Sequence, residues 1–257
     1  MSAMDLTIAV LNFRGEALLP DCLQSIWAQE IPCSWELLIV DDASPIPPQV
    51  LLPHRLIRHQ VNSGSNIKGC NTAFREAKGD WVLLMANDVR LHPSCFLNLW
   101  NFQRVYDVFQ PMLLQPDGTV DNLGLQWVWP GYGRRVRAFG LSREIDAFAN
   151  TCVLMRKRTW EAVGGFTEAL GISHEDIDFS LKAKRLGFTI GCCPLAQATH
   201  LMGATLARNH RNLSPYYRRA RRLVIQRNYR GLDRLTRLWA TGLLDGLASQ
   251  VERRRQH

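Results

Sequence analysis

Short apolar runs alternate with stretches at helical spacing along the first hundred residues. Thr7–Leu11 is an apolar run with β-branched residues and reads as a buried strand. From Ala17 to Ala28, Leu18, Cys22 and Ile26, with Leu19 and Leu23, recur at helical spacing. Trp35–Val40 predicts a second buried strand that ends at Asp41-Asp42. The prolines of Ala43–Pro48 cannot continue it, because each fixes φ and removes a donor. Arg55–Gln60 alternates weakly as a third strand. Asn62–Gly69 is polar and reads as a loop, Asn71–Ala77 as a helix, and Trp81–Met85 as a fourth strand ending at Asn87-Asp88.

Strand, helix, strand, loop, helix, strand is the order of a parallel sheet covered by helices. In such sheets ligands sit at the carboxyl ends of the strands. Both acidic clusters, Asp41-Asp42 and Asn87-Asp88, fall there. The middle of the chain, 107–149, reads as less regular, with a turn at Asp117-Gly118 and aromatic, glycine and basic residues mixed over 124–137. Order resumes with a strand at Cys152–Met155 and a helix ending at Gly164-Gly165. An amphipathic helix follows within His174–Gly187, closed by its glycine, then a short strand at Thr189–Cys192. From Ser214 the chain reads as an arginine-rich helical tail, which divides it into a domain over 1–213 and a tail over 214–257.

With 257 residues, 46% of them apolar and 21% charged, the chain is of an ordinary globular kind and long enough for a sizeable core. No run approaches the ~20 apolar residues of a membrane span, and the N-terminus does not read as a secretory signal. The seven cysteines are scattered and read as reduced thiols, which suits the cytoplasm. The net charge of +8 is uneven. Residues 204–257 hold 13 arginines, no lysine and three acids, a balance of +10, while residues 1–203 come to −2. A near-neutral domain with a basic tail results, and the tail is a candidate for contact with an anionic membrane surface.

Taken singly, the polar clusters have plain structural explanations. A strand-end Asp-Asp is commonly a solvated turn, Asp88 would serve as a helix cap, and Asp176 as a first-turn acid on the helix dipole. Their order and spacing say more. T-I-A-V-L-N-F-R is followed by V-D-D-A-S, then N-S-G, G-C-N-T-A-F-R-E-A-K-G-D-W-V-L-L and A-N-D-V. V-G-G-F, H-E-D-I-D-F-S-L-K-A-K-R-L-G-F and H-L-M-G-A-T complete the series.

Over roughly Leu6 to Thr205 this series resembles a family 2 glycosyltransferase of the GT-A fold, nearest in pattern to the bacterial rhamnosyltransferase-like members. The resemblance implies an α/β fold with a mostly parallel, nucleotide-binding sheet and helices on both faces. It further implies inverting transfer of a sugar from a UDP- or dTDP-sugar to an acceptor hydroxyl. Asp42 would bond the base, bordered by the backbone of Leu11 and the side chain of Asn12. Ser65 to Lys68 would cover the nucleotide, with Lys68 reaching phosphate. Asn87 and Asp88 would stand at the family's D-x-D element, here Ala86-Asn87-Asp88 without its first acid. Asp88, with His200, would hold Mn2+ or Mg2+ on the diphosphate. Asp176 would be the general base, supported by Glu175. Trp127, Trp129 and His174 are candidates for the acceptor side.

These residue types suit the chemistry. The leaving diphosphate gathers negative charge that a cation neutralises. The acceptor hydroxyl is a weak nucleophile that needs a carboxylate within hydrogen-bond reach. A single base implies one displacement and hence inversion. The expected partners are a nucleotide sugar and a carbohydrate or lipid-linked acceptor, in assembly of a bacterial surface polysaccharide or lipopolysaccharide. Two other readings stay open: transfer to a modified base in DNA, with the arginines on phosphate, and an inactive GT-A domain that only binds.

Overall fold

The computed structural model describes residues 4–138, 144–201 and 214–254. Its strands are β1 (Met4–Asn12), β2 (Trp35–Asp41), β3 (Arg55–Arg58), β4 (Gly79–Ala86), β5 (Val89–Leu91), β6 (Val108–Leu114), β7 (Val120–Asn122), β8 (Leu125–Val128), β9 (Tyr132–Arg135), β10 (Cys152–Arg156) and β11 (Ile190–His200). The helices are α1 (Leu19–Trp27), α2 (Asn66–Glu76), α3 (Cys95–Asn101), α4 (Lys157–Val163), α5 (Glu175–Arg185), α6 (Ser214–Asn228) and α7 (Gly231–Arg254), with a 3-10 turn at Glu168–Leu170.

One sheet runs in the order β3-β2-β1-β4-β10-β6-β11-β5, with β7 on β6, and β8 and β9 form a separate hairpin. The pairs from β3 to β4 are parallel. Inserted β10 is antiparallel to both β4 and β6. Side chains alternate across this sheet as strand geometry requires. Leu6, Ile8 and Val10 of β1, with Leu83 and Met85 of β4, join a core completed by α1 and α3. Ala9, Val82, Leu84 and Val153 face the other way, into a core completed by α2, α5 and α6. Both faces are therefore covered by helices.

Strand β5 follows Asp88 directly and α3 begins only at Cys95, so Asp88 caps no helix, and three further differences from the sequence expectation shape the fold. Helix α2 starts at Asn66, inside the segment expected as a loop. Ser65 caps it, its Oγ accepting from Ile67 N at 3.1 Å, and the buried row Ile67, Cys70 and Phe74 anchors it. A cap and an apolar face together outweigh the low helix propensity of Gly69. The segment 107–149, expected as irregular, carries four strands, β6 to β9. β7 pairs locally with β6 and β8 with β9, whereas β6 is also held by β10 and β11 from far along the chain, a signal that local periodicity does not contain. Strand β11 continues past Cys192 to His200 through a register shift between Cys193 and Gln197.

Candidate active site

Strand register builds the first part of the site. Asn12 pairs with Asp41 in the β1–β2 ladder, and Leu11 with Ala86 in the β1–β4 ladder. The carboxyl ends of three strands thus meet. Asn12, buried there, donates from Nδ2 to Asp41 Oδ1 at 2.8 Å and accepts on Oδ1 from Asn87 Nδ2 at 2.8 Å. Asp41 is fully buried and also receives Arg58 Nε at 3.1 Å and Ser44 Oγ at 2.6 Å. The neighbouring Asp42 faces elsewhere. It receives Asn62 Nδ2 at 2.8 Å and Ser63 Oγ at 2.9 Å, and His59 Nδ1 lies at 2.8 Å. Asp42 therefore ties the turn before α2 to the end of β2. Ser65 caps α2 and also donates to the Gly171 carbonyl, which links that turn to the segment leading into α5. Lys68 is exposed on α2.

A second set gathers around a cavity of about 220 Å³ whose walls include Asn150, Glu175, Asp176, Asp121, Arg135 and His200. His200 pairs with Val89 in the antiparallel β5–β11 ladder, so its ring comes beside Asp88, with Nε2 at 3.4 Å from Asp88 Oδ2. Its Nδ1 faces Asp121 Oδ2 at 4.0 Å, and Asp121, buried, is bonded in turn by Arg135. Burial alone would lower the pKa of His200. Hydrogen bonds and the charges of Asp121 and Asp88 reverse this and raise it to about 9.

The two acids at the start of α5 line the same cavity. His174 adopts a left-handed backbone, φ 65°, in a region that non-glycine residues seldom occupy, and the helix begins directly after it. Glu175 is buried and accepts from Asn66 Nδ2 at 3.1 Å and Asn150 Nδ2 at 3.2 Å. Asp176 is held by backbone amides, its Oδ1 accepting from Ile177 N at 2.8 Å. Desolvation and then the adjacent Glu175 push the Asp176 carboxyl well above the usual carboxylate range. His174 goes the other way. Burial and then Arg221 lower it to about 4, which leaves a neutral imidazole at neutral pH. Its ring meets Trp127 edge-on at 6.2 Å. Trp129 stands apart, 60% exposed at the turn of the β8–β9 hairpin.

Buried polar atoms normally find partners. Asp88 Oδ1, Asn150 Oδ1 and Trp127 Nε1 are buried and find none among the described residues. Asn150 lines the cavity, Asp88 contacts its His200 wall, and Trp127 touches His174 beside its acidic wall. The orphaned carboxylate oxygen of Asp88 and the His200 ring fit a divalent cation that takes its other ligands from phosphate and water. Among the described residues, no group of three or more His, Cys, Asp or Glu side chains is arranged to hold a metal by itself.

The glycosyl transferase family 2 model matches residues 7–164. The chain belongs to that family. It is 23% identical over 217 residues to the low-salt glycan biosynthesis hexosyltransferase Agl10 of Haloferax volcanii, covering 76% of this chain and 67% of that one. It is 24% identical over 210 residues to the O-antigen biosynthesis protein RfbC of Myxococcus xanthus, covering 71% of this chain and 16% of that one. Among solved structures it superposes on S. aureus TarS 1-349 in complex with UDP, with TM-score 0.61, 18% identity and coverage of 91% and 70%. It also superposes on GalNAc-T7 with UDP, GalNAc and Mn2+, with TM-score 0.64, 14% identity and coverage of 88% and 48%. The chain spans 39% of the longer TarS chain it matches. These likenesses establish the GT-A fold.

Of the residues expected from the sequence, Glu175, Asp176 and His200 line one cavity, and Asp88 stands beside His200. Asp121, Arg135 and Asn150 were not expected there, and Asn66, within the segment expected over the nucleotide, bonds Glu175 instead. Asp121 and Arg135 lie in the stretch expected to be irregular, and no local motif marks them.

Proposed function

We infer that this glycosyltransferase moves a sugar from a UDP- or dTDP-sugar to a hydroxyl of a carbohydrate or lipid-linked acceptor, with inversion, in assembly of a cell-surface glycan. The observation that carries this reading is the placement of Glu175-Asp176 and of His200, with Asp88 beside it, around one cavity. The likeness to Agl10 and RfbC, named for glycan and O-antigen biosynthesis, supports the acceptor class. The UDP complexes of TarS and GalNAc-T7 support the donor class. All seven cysteines are free thiols, as suits a reducing cytoplasm.

In this reading the acceptor oxygen attacks the anomeric carbon as the bond to the diphosphate breaks. The proton of the acceptor hydroxyl passes to a carboxylate oxygen of Asp176. Desolvation makes that carboxylate a stronger base than one in water. Glu175, held by Asn66 and Asn150, stands beside Asp176 and raises that basicity. Asn12 and Asn87 border the nucleotide, and Asp42 with the capped start of α2 shapes the turn over the base. Mn2+ or Mg2+ bound by Asp88 and His200 would neutralise the charge on the departing diphosphate. Trp127 and His174 offer an apolar edge to an acceptor ring.

The test pairs calorimetric titration of UDP, dTDP, GDP and CMP, with and without Mn2+, with transfer assays of Asp176→Asn. Binding of a uridine or thymidine nucleotide is expected. The variant should bind it equally well and turn over about 10²–10⁴-fold more slowly. Binding of no nucleotide, or turnover by the variant near that of the parent, would overturn the assignment.

A further inference from the structure

The inner side of the α6–α7 pair is fully engaged. Ala220, Val224 and Ile225 of α6 are buried, and Asn228 donates to Asp178 of α5 at 2.6 Å. Arg221 stacks on Tyr132 of β9 and pairs with Asp245 of α7. On α7, Ala240 and Thr241 are buried, and Arg237 stacks on Tyr229 while donating to the Pro130 carbonyl at 3.3 Å.

The outer side of α7 is apolar. Leu232, Leu235, Trp239 and Leu243 succeed one another at intervals of three, four and four residues, which sets them along one stripe of a helix. They are 76%, 59%, 70% and 50% exposed. Single exposed apolar residues are ordinary, but a contiguous row marks a surface that meets something. Trp129 adjoins Pro130, the hairpin residue that α7 contacts, and is exposed as well.

The charge nearby has one sign. The segment 214–254 holds ten arginines and three acids. Of those acids, Asp233 and Asp245 are each paired with an arginine of the same two helices. Arg219, Arg222, Arg230 and Arg234 are exposed. Two copies of this surface brought face to face would repel. A nucleic acid would use the arginines but leave the leucines and Trp239 in water. An anionic bilayer answers both features, because its phosphates meet the arginines and its acyl boundary takes the stripe. Tryptophan is itself favoured at that depth. No described helix is long and apolar enough to cross a membrane, which fits a helix lying in the surface plane.

We propose that α7 docks on an anionic lipid surface through Leu232, Leu235, Trp239 and Leu243, with exposed arginines of the α6–α7 pair on lipid phosphate. Helix α6 packs on α5 and on the β8–β9 hairpin, so docking would hold the cavity close to the membrane plane. That suits an acceptor whose far end lies in lipid; this clause alone rests on the glycosyl-transfer reading.

The test is co-sedimentation of the full chain with phosphatidylcholine vesicles, with and without phosphatidylglycerol, for the parent and for the double variant Leu235→Asp, Trp239→Asp. Both positions are exposed, so the variant should keep the parent's melting curve. The parent should bind the anionic vesicles, lose them at high salt, and bind neutral ones poorly. The variant should bind anionic vesicles about tenfold more weakly or worse. Equal binding by parent and variant, or no binding by the parent, would overturn the proposal. A concentration-dependent dimer that the variant abolishes would assign the stripe to a second copy instead. UDP binding is measured separately, so its failure would count against the enzymatic reading and leave the docking result standing.

Discussion

His200 Nε2 stands 3.4 Å from Asp88 Oδ2, brought there by the antiparallel register that sets His200 opposite Val89. The pair, with Asp121 behind the ring, stores charge inside the protein. It has a consequence for stability as well as for phosphate chemistry.

The pKa of His200 is raised to about 9 from an ordinary value near 6.5. A raised folded-state value means that the imidazolium stabilises the fold fully below about pH 6.5, and that this is lost as pH rises through about 9. His200→Gln should therefore destabilise the metal-free protein by on the order of 2–3 kcal/mol at mildly acidic pH and by little above about pH 9. Urea unfolding of both proteins across that range, in the presence of a chelator, measures it. A penalty independent of pH would show that the ring contributes by packing and not by charge.

Asp176 should act in the opposite sense, as a stability cost. Its carboxyl is raised by desolvation and by Glu175, so ionising it in the folded protein is unfavourable. The cost is absent in acid and grows as pH climbs from the usual carboxylate range through the raised value. Asp176→Asn should stabilise the protein by on the order of 2 kcal/mol above neutral pH, with the difference closing in acid. Thermal melts at several pH values decide this. An Asn variant that melts below the parent in mild base would contradict it.

Gly15 makes room for the bond between Asn12 and Asn87. A Cβ at this position would overlap Asn12 Oδ1 and Asn87 Nδ2. Gly15→Ala should displace both amides and weaken nucleotide binding about tenfold, or about 1.4 kcal/mol. The KM for acceptor should stay near the parent value. Unchanged nucleotide affinity would remove Asn12 and Asn87 from the donor site.

Trp127 touches His174 edge-on beside the acidic wall, and its Nε1 is buried without a described partner. Trp127→Ala should raise the acceptor KM severalfold, with the donor KM unchanged, as expected for a ring that contacts one substrate only. Parallel changes in both would point to a packing role for the indole.

Continuous apolar runs and period-3.6 patterns made a sheet buried on both faces legible. The runs holding Ile8 and Val10, or Leu83 and Met85, bury side chains on both sides, and α1 covers them where expected, joined by α3, which the sequence had not indicated. Asp88, Glu175, Asp176 and His200 were legible for another reason. They lie at strand ends or a helix start, inside motifs whose order along the chain marks the family.

Asp121 and Arg135 were not legible, and neither was the helix onset at Ser65. A cap depends on a single hydroxyl meeting a single amide, here Ser65 Oγ and Ile67 N. The Asp121–His200–Asp88 chain depends on β7 pairing with β6 and on β5 pairing with β11. In the tail, arginine content was plain from the sequence. Tertiary packing decided which side of α7 is left open, by burying Ala240 and Thr241 and leaving Leu232, Leu235, Trp239 and Leu243 in solvent. Local sequence sets which residues share a face of an element. Long-range register and docking set what that face meets, because those contacts join residues whose separation along the chain carries no period.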